Sequence, residues 1–161
     1  MKYRRLRADE LAELETEFIR FLASQSIPGP DWEKMKAEQK EKAEGIIDLF
    51  SDLVYEKILQ GIEYLEHRSP HDLKTFHCGK EKIVMRGMMV EGRSNIDFTK
   101  DQSPEQMLGQ IKLSNAQVKV YRAEKKYKEG REKELFQMME TGCLISKEGE
   151  IFKLLEGFDK D

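Results

Sequence analysis

The period of the hydrophobic pattern changes partway along the chain, and this change constrains the fold more than any other feature. Apolar residues recur at three- and four-residue steps in the N-terminal part, which indicates amphipathic helices. The longest such stripe runs from Ile46 to Leu65 and predicts one long helix. Beyond Pro70 the apolar residues alternate or run on continuously, as in strands. The two patterns together predict an α+β fold, with a helical N-terminal half packed on a small, mostly antiparallel sheet in the C-terminal half.

Two shorter helices are predicted before the long one. The first places five apolar residues on one side, namely Leu11, Leu14, Phe18, Phe21 and Leu22. It ends before the segment SIPGPD at 26–31, because two prolines and a glycine cannot continue a helix. The second is predicted from Trp32 to about Gln39, with Asp31 as its N-terminal cap.

Strand patterns begin after Pro70. Leu73–Cys78 and Lys82–Glu91 predict a hairpin that turns at 79–81, and the apolar run of the second strand favours a position inside a sheet. The segment SPEQ at 103–106 is a capping box with proline at the first helical position, so a short helix starts there.

The last third of the chain leaves two alternatives open. Residues 117–123 alternate as a strand does, but a helix with Val120 and Tyr127 on one side is a rival interpretation. Residues 132–141 predict a helix with Gly142 at its C′ position. Residues 143–155 fit either a second hairpin or a strand followed by a short helix.

Length and charge limit the classes of protein to which the chain can belong. A chain of 161 residues favours one domain, 1–161, helical over 8–66 and mixed over 72–156. The 28 basic and 31 acidic residues give a net charge of −3, which implies neither a polyanion binder nor an acidic tail. No apolar run approaches the roughly 20 residues of a membrane span, so no membrane partner is expected. Two cysteines and a start without an apolar leader predict a cytoplasmic location with free thiols.

All three histidines and one of the two cysteines lie close together in the sequence. His67, His71, His77 and Cys78 are ligand types that zinc prefers, and they are the candidate metal ligands. Their spacing is poor for a metal site. Pro70 separates the first two, and His77 and Cys78 would point to opposite faces of a strand, so only one of them could join. The ordinary interpretation is a turn at 69–72 followed by a strand with a buried cysteine.

A Cys–His nucleophile pair is the other chemical interpretation of this segment. It needs a thiolate in contact with an imidazole, and neighbours on one strand cannot make that contact. No phosphate-binding loop and no nucleophile-elbow motif is present elsewhere. We therefore lean against an enzyme and expect no cofactor.

One stretch of the chain is strongly basic. Residues 119–133 hold seven basic and three acidic residues, with Tyr121 and Tyr127 between them. Clustered cations can contact phosphates, and bases can stack on aromatic rings. The candidate nucleic-acid-binding residues are Lys119, Arg122, Lys125, Lys126, Lys128 and Arg131. No recognised RNA- or DNA-binding motif accompanies them.

Six segments in order along the chain carry a family resemblance. They are MKYRRL at 1–6, FSDLVYEKIL at 50–59, YLEHRSP at 64–70, TFHC at 75–78, IDFTK at 96–100 and GCLISKEGEIFK at 142–153. In these segments the chain resembles an uncharacterised domain-of-unknown-function family of small cytosolic proteins, mostly from Bacteroidetes. The resemblance implies a bacterial, cytoplasmic, single-domain protein. It brings no activity, cofactor or site residue.

These observations favour a non-enzymatic protein–protein interaction module with an unknown protein partner, or with a second copy in a homodimer. The support is the wide apolar stripe at 46–65, the paired methionines Met88 and Met89 on one strand, and unpaired sheet edges, which invite strand addition. The alternatives are a nucleic-acid-associated protein that uses 119–133 and a metal-binding protein that uses the His67–Cys78 cluster.

Overall fold

The computed structural model describes residues 1–92 and 94–159. The chain falls into two compact units, Met1–Gln60 and Gly61–Asp161. The first unit is helical, and the second holds a five-stranded antiparallel sheet with further helices. The predicted α+β class is confirmed. The expectation of a single domain stays a prediction.

The first unit consists of four helices around an aromatic cluster. They are α1 (Ala8–Glu13), α2 (Glu15–Ser24), α3 (Gly29–Glu38) and α4 (Lys40–Gln60). The ring of Phe18 lies 5.2 Å from that of Trp32 and 5.0 Å from that of Phe50. In place of the first predicted helix there are two helices, α1 and α2, which meet at Leu14. Helix α3 begins three residues earlier than predicted. The earlier start is explained by Pro30, because proline fits the first turn of a helix.

The segment before α1 is fastened to α4 by polar contacts. The buried Leu6 donates its backbone N–H to Ser51 Oγ at 2.9 Å. The guanidinium of Arg5 lies 2.6 Å from the carboxylate of Asp48, and the N–H of Lys2 donates to Asp52 at 2.7 Å. One side of α4 therefore holds the first residues of the chain.

The predicted helix at 46–65 is wrong at its C-terminal end. Helix α4 ends at Gln60, and Gly61, the residue type most common after a helix, follows. Ile62 and Leu65 continue the three- and four-residue spacing but are buried in the second unit, where Leu65 belongs to a strand. His67 is therefore a strand residue and does not belong to the end of α4.

The second unit is built on one sheet. Its strands are β1 (Tyr64–Ser69), β2 (Asp72–Cys78), β3 (Lys82–Glu91), β4 (Gln117–Lys126) and β5 (Leu144–Ser146), in the order β4-β3-β2-β1-β5. The predicted hairpin of β2 and β3 is confirmed, and 117–126 is a strand and not the rival helix. Strand β1 was not predicted, because its apolar residues fit the period of the preceding helix.

Three helices complete this unit. They are α5 (Pro104–Ser114), α6 (Arg131–Glu140) and α7 (Glu150–Glu156), followed by one turn of 3-10 helix at Gly157–Asp159. Helix α5 starts with the predicted capping box, in which Ser103 Oγ accepts from Gln106 N at 3.1 Å. Gly142 follows α6 with a positive φ of 110°, as its predicted C′ position requires. Of the two alternatives for 143–155, the strand followed by a helix is confirmed.

One buried apolar cluster of the second unit lies against one side of the sheet, which we call the first face. Leu73, Met88 and Val90 of this face are buried against Ile151 and Leu155 of α7. The cluster is completed by Ile96, Phe98 and Met107. Paired residues of neighbouring strands share a face, so the alternate residues of each strand form the other side, the second face.

Candidate functional site

The histidines of the 66–79 segment are spread over three places. His67 is on β1 and shares the second face with Cys78, but the register separates them by four residues along the strands, roughly 13 Å. His71 is exposed in the turn between β1 and β2. His77 lies on the first face, with its ring 5.2 Å from that of Tyr64 and 5.8 Å from that of Phe152. The predicted turn at 69–72 and the opposite orientation of His77 and Cys78 are confirmed.

Metal-ligating side chains do not gather in the part of the chain that the structure describes. Within residues 1–92 and 94–159, no group of three His, Cys, Asp or Glu side chains could hold a metal ion. His77 Nε2 lies 3.9 Å from Glu63 Oε1, and the two side chains are 38% and 65% exposed.

The two thiols are buried and unreactive in character. Cys78 and Cys143 are both free cysteines in the interior. Burial raises the pKa of the Cys78 thiol from 9.0 to about 12, and burial also raises the pKa of Cys143. A nucleophilic cysteine needs the opposite shift, because the thiolate is the reactive form. At neutral pH both groups act as small apolar side chains.

The six basic candidates divide into two groups. Lys119, Arg122, Lys125 and Lys126 lie on β4, and Lys128 follows it in the loop before α6. Arg131 has a structural role, because its guanidinium donates to the carbonyl oxygens of Gly79 at 3.1 Å and Cys78 at 3.2 Å, and also to that of Ile62. Arg131 therefore ties α6 to two loops at one end of the sheet.

Strand β4 is an edge of the sheet. It pairs with β3 over ten residues and is the terminal strand in the strand order. The other edge, β5, has only three residues. Most of β4 is exposed to solvent. An edge strand presents unpaired N–H and C=O groups along its free side, and β4 offers the longer row.

The register identifies which backbone groups of β4 point outward. Gly79 N donates to Lys82 O, and Val90 N donates to His71 O, which fixes the hydrogen-bonded pairs between β2 and β3. In an antiparallel pair, every second residue forms hydrogen bonds to the partner strand. The even-numbered residues of β3 bond to β2, so the odd-numbered ones, such as Met85 and Gly87, turn their backbone groups to β4. Their partners are the odd-numbered residues of β4. The outward N–H groups therefore belong to Val118, Val120, Arg122, Glu124 and Lys126.

An apolar cavity lies on the second face beside β4, and we call it the anchor cavity. Its volume is about 310 Å³. Its apolar lining comes from Phe76, Ile83, Met85, Ala123 and Met138. Lys74, Lys125 and Glu124 complete the lining, so charged residues adjoin the apolar ones.

The residues around the cavity are held by a polar cluster on the same face. Tyr121 lies over Gly87, and its hydroxyl donates to Asp72. Lys74 Nζ lies 2.6 Å from the other oxygen of the same carboxylate. Burial and the hydrogen bond to Asp72 together raise the pKa of Tyr121, so the phenol remains a donor. These contacts hold the side chains of Asp72, Lys74 and Tyr121 in place beside the anchor cavity.

Sequence reasoning missed the anchor cavity. The sequence shows Ala123 as the one small apolar residue between the larger side chains of β4. The register that places Ala123 beside Met85 and Phe76 could not be read without the sheet order. The paired methionines point to opposite faces, because Met88 is buried on the first face and Met89 is 36% exposed on the second.

A second, more polar cleft of about 640 Å³ opens on the other side of the sheet. Glu66 and Arg68 of β1 border it, together with residues 101–104 and 146–151. The two charged groups of β1 form an ion pair with an N–O distance of 3.0 Å. The guanidinium of Arg68 also donates to the carbonyl oxygen of Phe98. The two charged residues that β1 contributes to this cleft therefore already satisfy each other.

Comparison with known proteins places the chain in a family. A family model described as a family of unknown function, DUF6495, matches residues 1–160. The chain belongs to this family, which confirms the resemblance found from the sequence. No curated protein and no solved structure matches the chain. In the described part of the chain, no helix combines the length and the apolar character needed to cross a membrane.

Proposed function

We propose that the chain is a non-enzymatic protein–protein interaction module that binds an extended segment of a partner protein along the free edge of β4. One observation carries this proposal: among the described residues, the sheet ends on a ten-residue strand that is paired on one side only. A partner strand would bond to the outward groups of Val118, Val120, Arg122, Glu124 and Lys126. Strand addition of this kind is a common mode of peptide recognition.

The basic charge of β4 indicates which kind of partner segment would bind. The strand carries four basic residues and one acidic residue. The acidic residue, Glu124, is already engaged by Arg122 at 2.8 Å and by Lys82 at 3.3 Å. Charged residues, lysine above all, commonly protect edge strands from unwanted pairing. A segment with carboxylates overcomes this protection, so the proposed partner is acidic.

The same charge disfavours a second copy of the chain at this edge. If two β4 strands paired antiparallel about Arg122, each Lys119 would lie opposite a Lys125. Like charges directly opposite one another destabilise a strand pair. A heterologous acidic segment therefore fits the edge better than the homodimer does.

The non-enzymatic part of the proposal is supported by the chemistry of the two thiols and the three histidines. The thiols are buried with raised pKa values, and the imidazoles lie at three separate places. Free cysteines also suit a reducing compartment, so we place the binding in the bacterial cytoplasm.

The proposal is tested by selecting peptides from a displayed random twelve-residue library on the purified chain. Selected peptides are then titrated against three proteins: wild type, Val120→Pro and Val120→Ala. Proline removes an outward N–H that the partner must use, whereas alanine removes only the side chain. We expect acidic peptides that bind wild type and Val120→Ala alike and bind Val120→Pro at least about tenfold more weakly, a difference of about 1.4 kcal/mol.

Three results would overturn it. The first is a selection that enriches no peptide. The second is a set of peptides that bind Val120→Pro as well as wild type, since their site would lie elsewhere. The third is tighter binding of a single-stranded oligonucleotide with a steep salt dependence, which would favour the nucleic-acid alternative.

A further inference from the structure

The second face of the sheet contains a row of side chains that stops at the β4 edge. Phe76 of β2 pairs with Met85 of β3, and Met85 pairs with Ala123 of β4. Two large apolar side chains are thus followed by one methyl group. The anchor cavity is lined by all three of these residues, and Met138 of α6 borders it as well. A large side chain in the next place of this row, beyond Ala123, would adjoin the cavity.

Strand addition would provide that next place. The backbone groups of Ala123 point to β3, so an antiparallel partner would face Ala123 in a non-hydrogen-bonded pair. In such pairs the Cα atoms are only about 4.5 Å apart and the side chains are closest. The partner residue opposite Ala123 would therefore have its side chain beside the opening above this methyl group.

The rim of the cavity adds a charge requirement. Lys125 follows Ala123 by two residues and lies on the same face, with its side chain 57% exposed. Its Nζ is 3.9 Å from Glu134 Oε2, an oxygen that accepts no hydrogen bond from the described residues. The ammonium group is therefore only loosely held and can bind another carboxylate. A partner acid two residues from the apolar side chain would lie opposite Lys125.

From this arrangement we infer a specificity pocket. The segment that binds β4 places one large apolar side chain in the anchor cavity opposite Ala123, and a carboxylate two residues away opposite Lys125. This inference rests on the strand addition proposed above. The volume of about 310 Å³ is at the small end for a drug-sized ligand but is large enough for one or two apolar side chains.

The test uses terminally blocked nine-residue threonine peptides as probes. The first has phenylalanine at its centre and glutamate two places to each side, so it presents the same pattern in both strand directions. The second has alanine at the centre, and the third has lysine in place of both glutamates. Binding is measured by titration, and the site is located by protection of the β4 amides. We expect the first peptide to bind at least about tenfold more tightly than either of the others.

Two variants with the same added ring separate the cavity from the edge. Ala123→Phe fills the cavity from inside, whereas Leu113→Phe adds a ring at an exposed position of α5, outside the binding edge. We expect Ala123→Phe to remove the preference for phenylalanine over alanine, and Leu113→Phe to keep it. Equal binding of the first two peptides to wild type, with the outward β4 amides protected by both, would overturn the cavity inference and leave strand addition standing. If the library peptides also fail to bind at β4, strand addition itself is wrong.

Discussion

Tyr121 lies so close over Gly87 that a methyl group on the glycine would be 2.2 Å from the ring carbon Cζ. The two residues are paired across β3 and β4, and glycine leaves the space that the ring fills. The ring thereby reaches Asp72, to which its hydroxyl donates. This contact joins three strands next to the proposed binding edge, so the position of β4 depends on it.

Gly87→Ala is therefore expected to destabilise the fold. The added methyl group forces the ring away and breaks its hydrogen bond to Asp72, at a cost of about 1–3 kcal/mol in the free energy of unfolding. Urea unfolding of the purified variants measures this cost. Gly109→Ala is the matched control, because nothing lies within 4 Å of its Cβ position inside α5, and alanine there stabilises by up to about 1 kcal/mol. Equal stabilisation by both changes would contradict the contact.

Arg131→Met is expected to cost about 2–3 kcal/mol of unfolding free energy. The change leaves the carbonyl oxygens of Gly79, Cys78 and Ile62 without a charged donor. Arg122→Met removes an exposed guanidinium on β4 and serves as the control, with an expected change within about 0.5 kcal/mol. Denaturant unfolding of the two variants compares them directly. Equal effects would place Arg131 among ordinary surface cations.

Alkaline pH is expected to weaken the fold through its buried acids. The pKa of Cys78 and the pKa of Tyr127 are both raised to about 12, in each case mainly by burial. Their contribution is fully present below the unfolded pKa values, near 9 for the thiol and 10 for the phenol. It is lost as the pH rises towards 12, because only the unfolded state ionises in that window.

Unfolding free energies measured from pH 7 to pH 11 check this expectation, with Cys78→Ala as the comparison. The variant should lose less stability above pH 9 than wild type does. In a Cys143→Ala background, a thiol that reacts with an alkylating reagent at pH 8 as fast as a free cysteine would show that the burial of Cys78 is wrong.

Two neighbouring proline variants test the orientation of the β4 backbone. Val120→Pro removes an outward N–H and is expected to leave the sheet folded, with a loss below about 1 kcal/mol. Lys119→Pro removes an N–H that faces Met89 on β3, and its expected cost is about 1–3 kcal/mol. Thermal unfolding followed by circular dichroism ranks the two variants. The reverse ranking would shift the outward set to the odd-numbered residues.

Local sequence patterns predicted the elements whose ends are marked by characteristic turn or capping residues. The hairpin at 79–81, the capping box at Ser103 and the glycine at 142 each follow from residues within a few positions. Strand β1 could not be predicted, because its residue Leu65 and the preceding Ile62 both fit the period of the helix before them. The choice between helix and strand depends on pairing with β2 and β5, which the local sequence does not contain.

The candidate site was only partly predictable for a similar reason. The basic residues of β4 and the option of strand addition follow from composition and alternation. The anchor cavity depends on four apolar residues from three strands and one from α6, which come together only through the register. The structural role of Arg131 could not be predicted for the same reason, because its carbonyl partners are distant in the sequence.

Amide hydrogen exchange along β4, read residue by residue by NMR with and without a selected acidic peptide, tests the central claim most directly. In the free protein the outward amides of Val118, Val120, Arg122, Glu124 and Lys126 should exchange fast, and those of Lys119, Tyr121, Ala123 and Lys125 slowly. With the peptide bound, the outward amides should become protected while the others remain so. Peptide binding that leaves the outward amides in fast exchange would contradict strand addition at this edge.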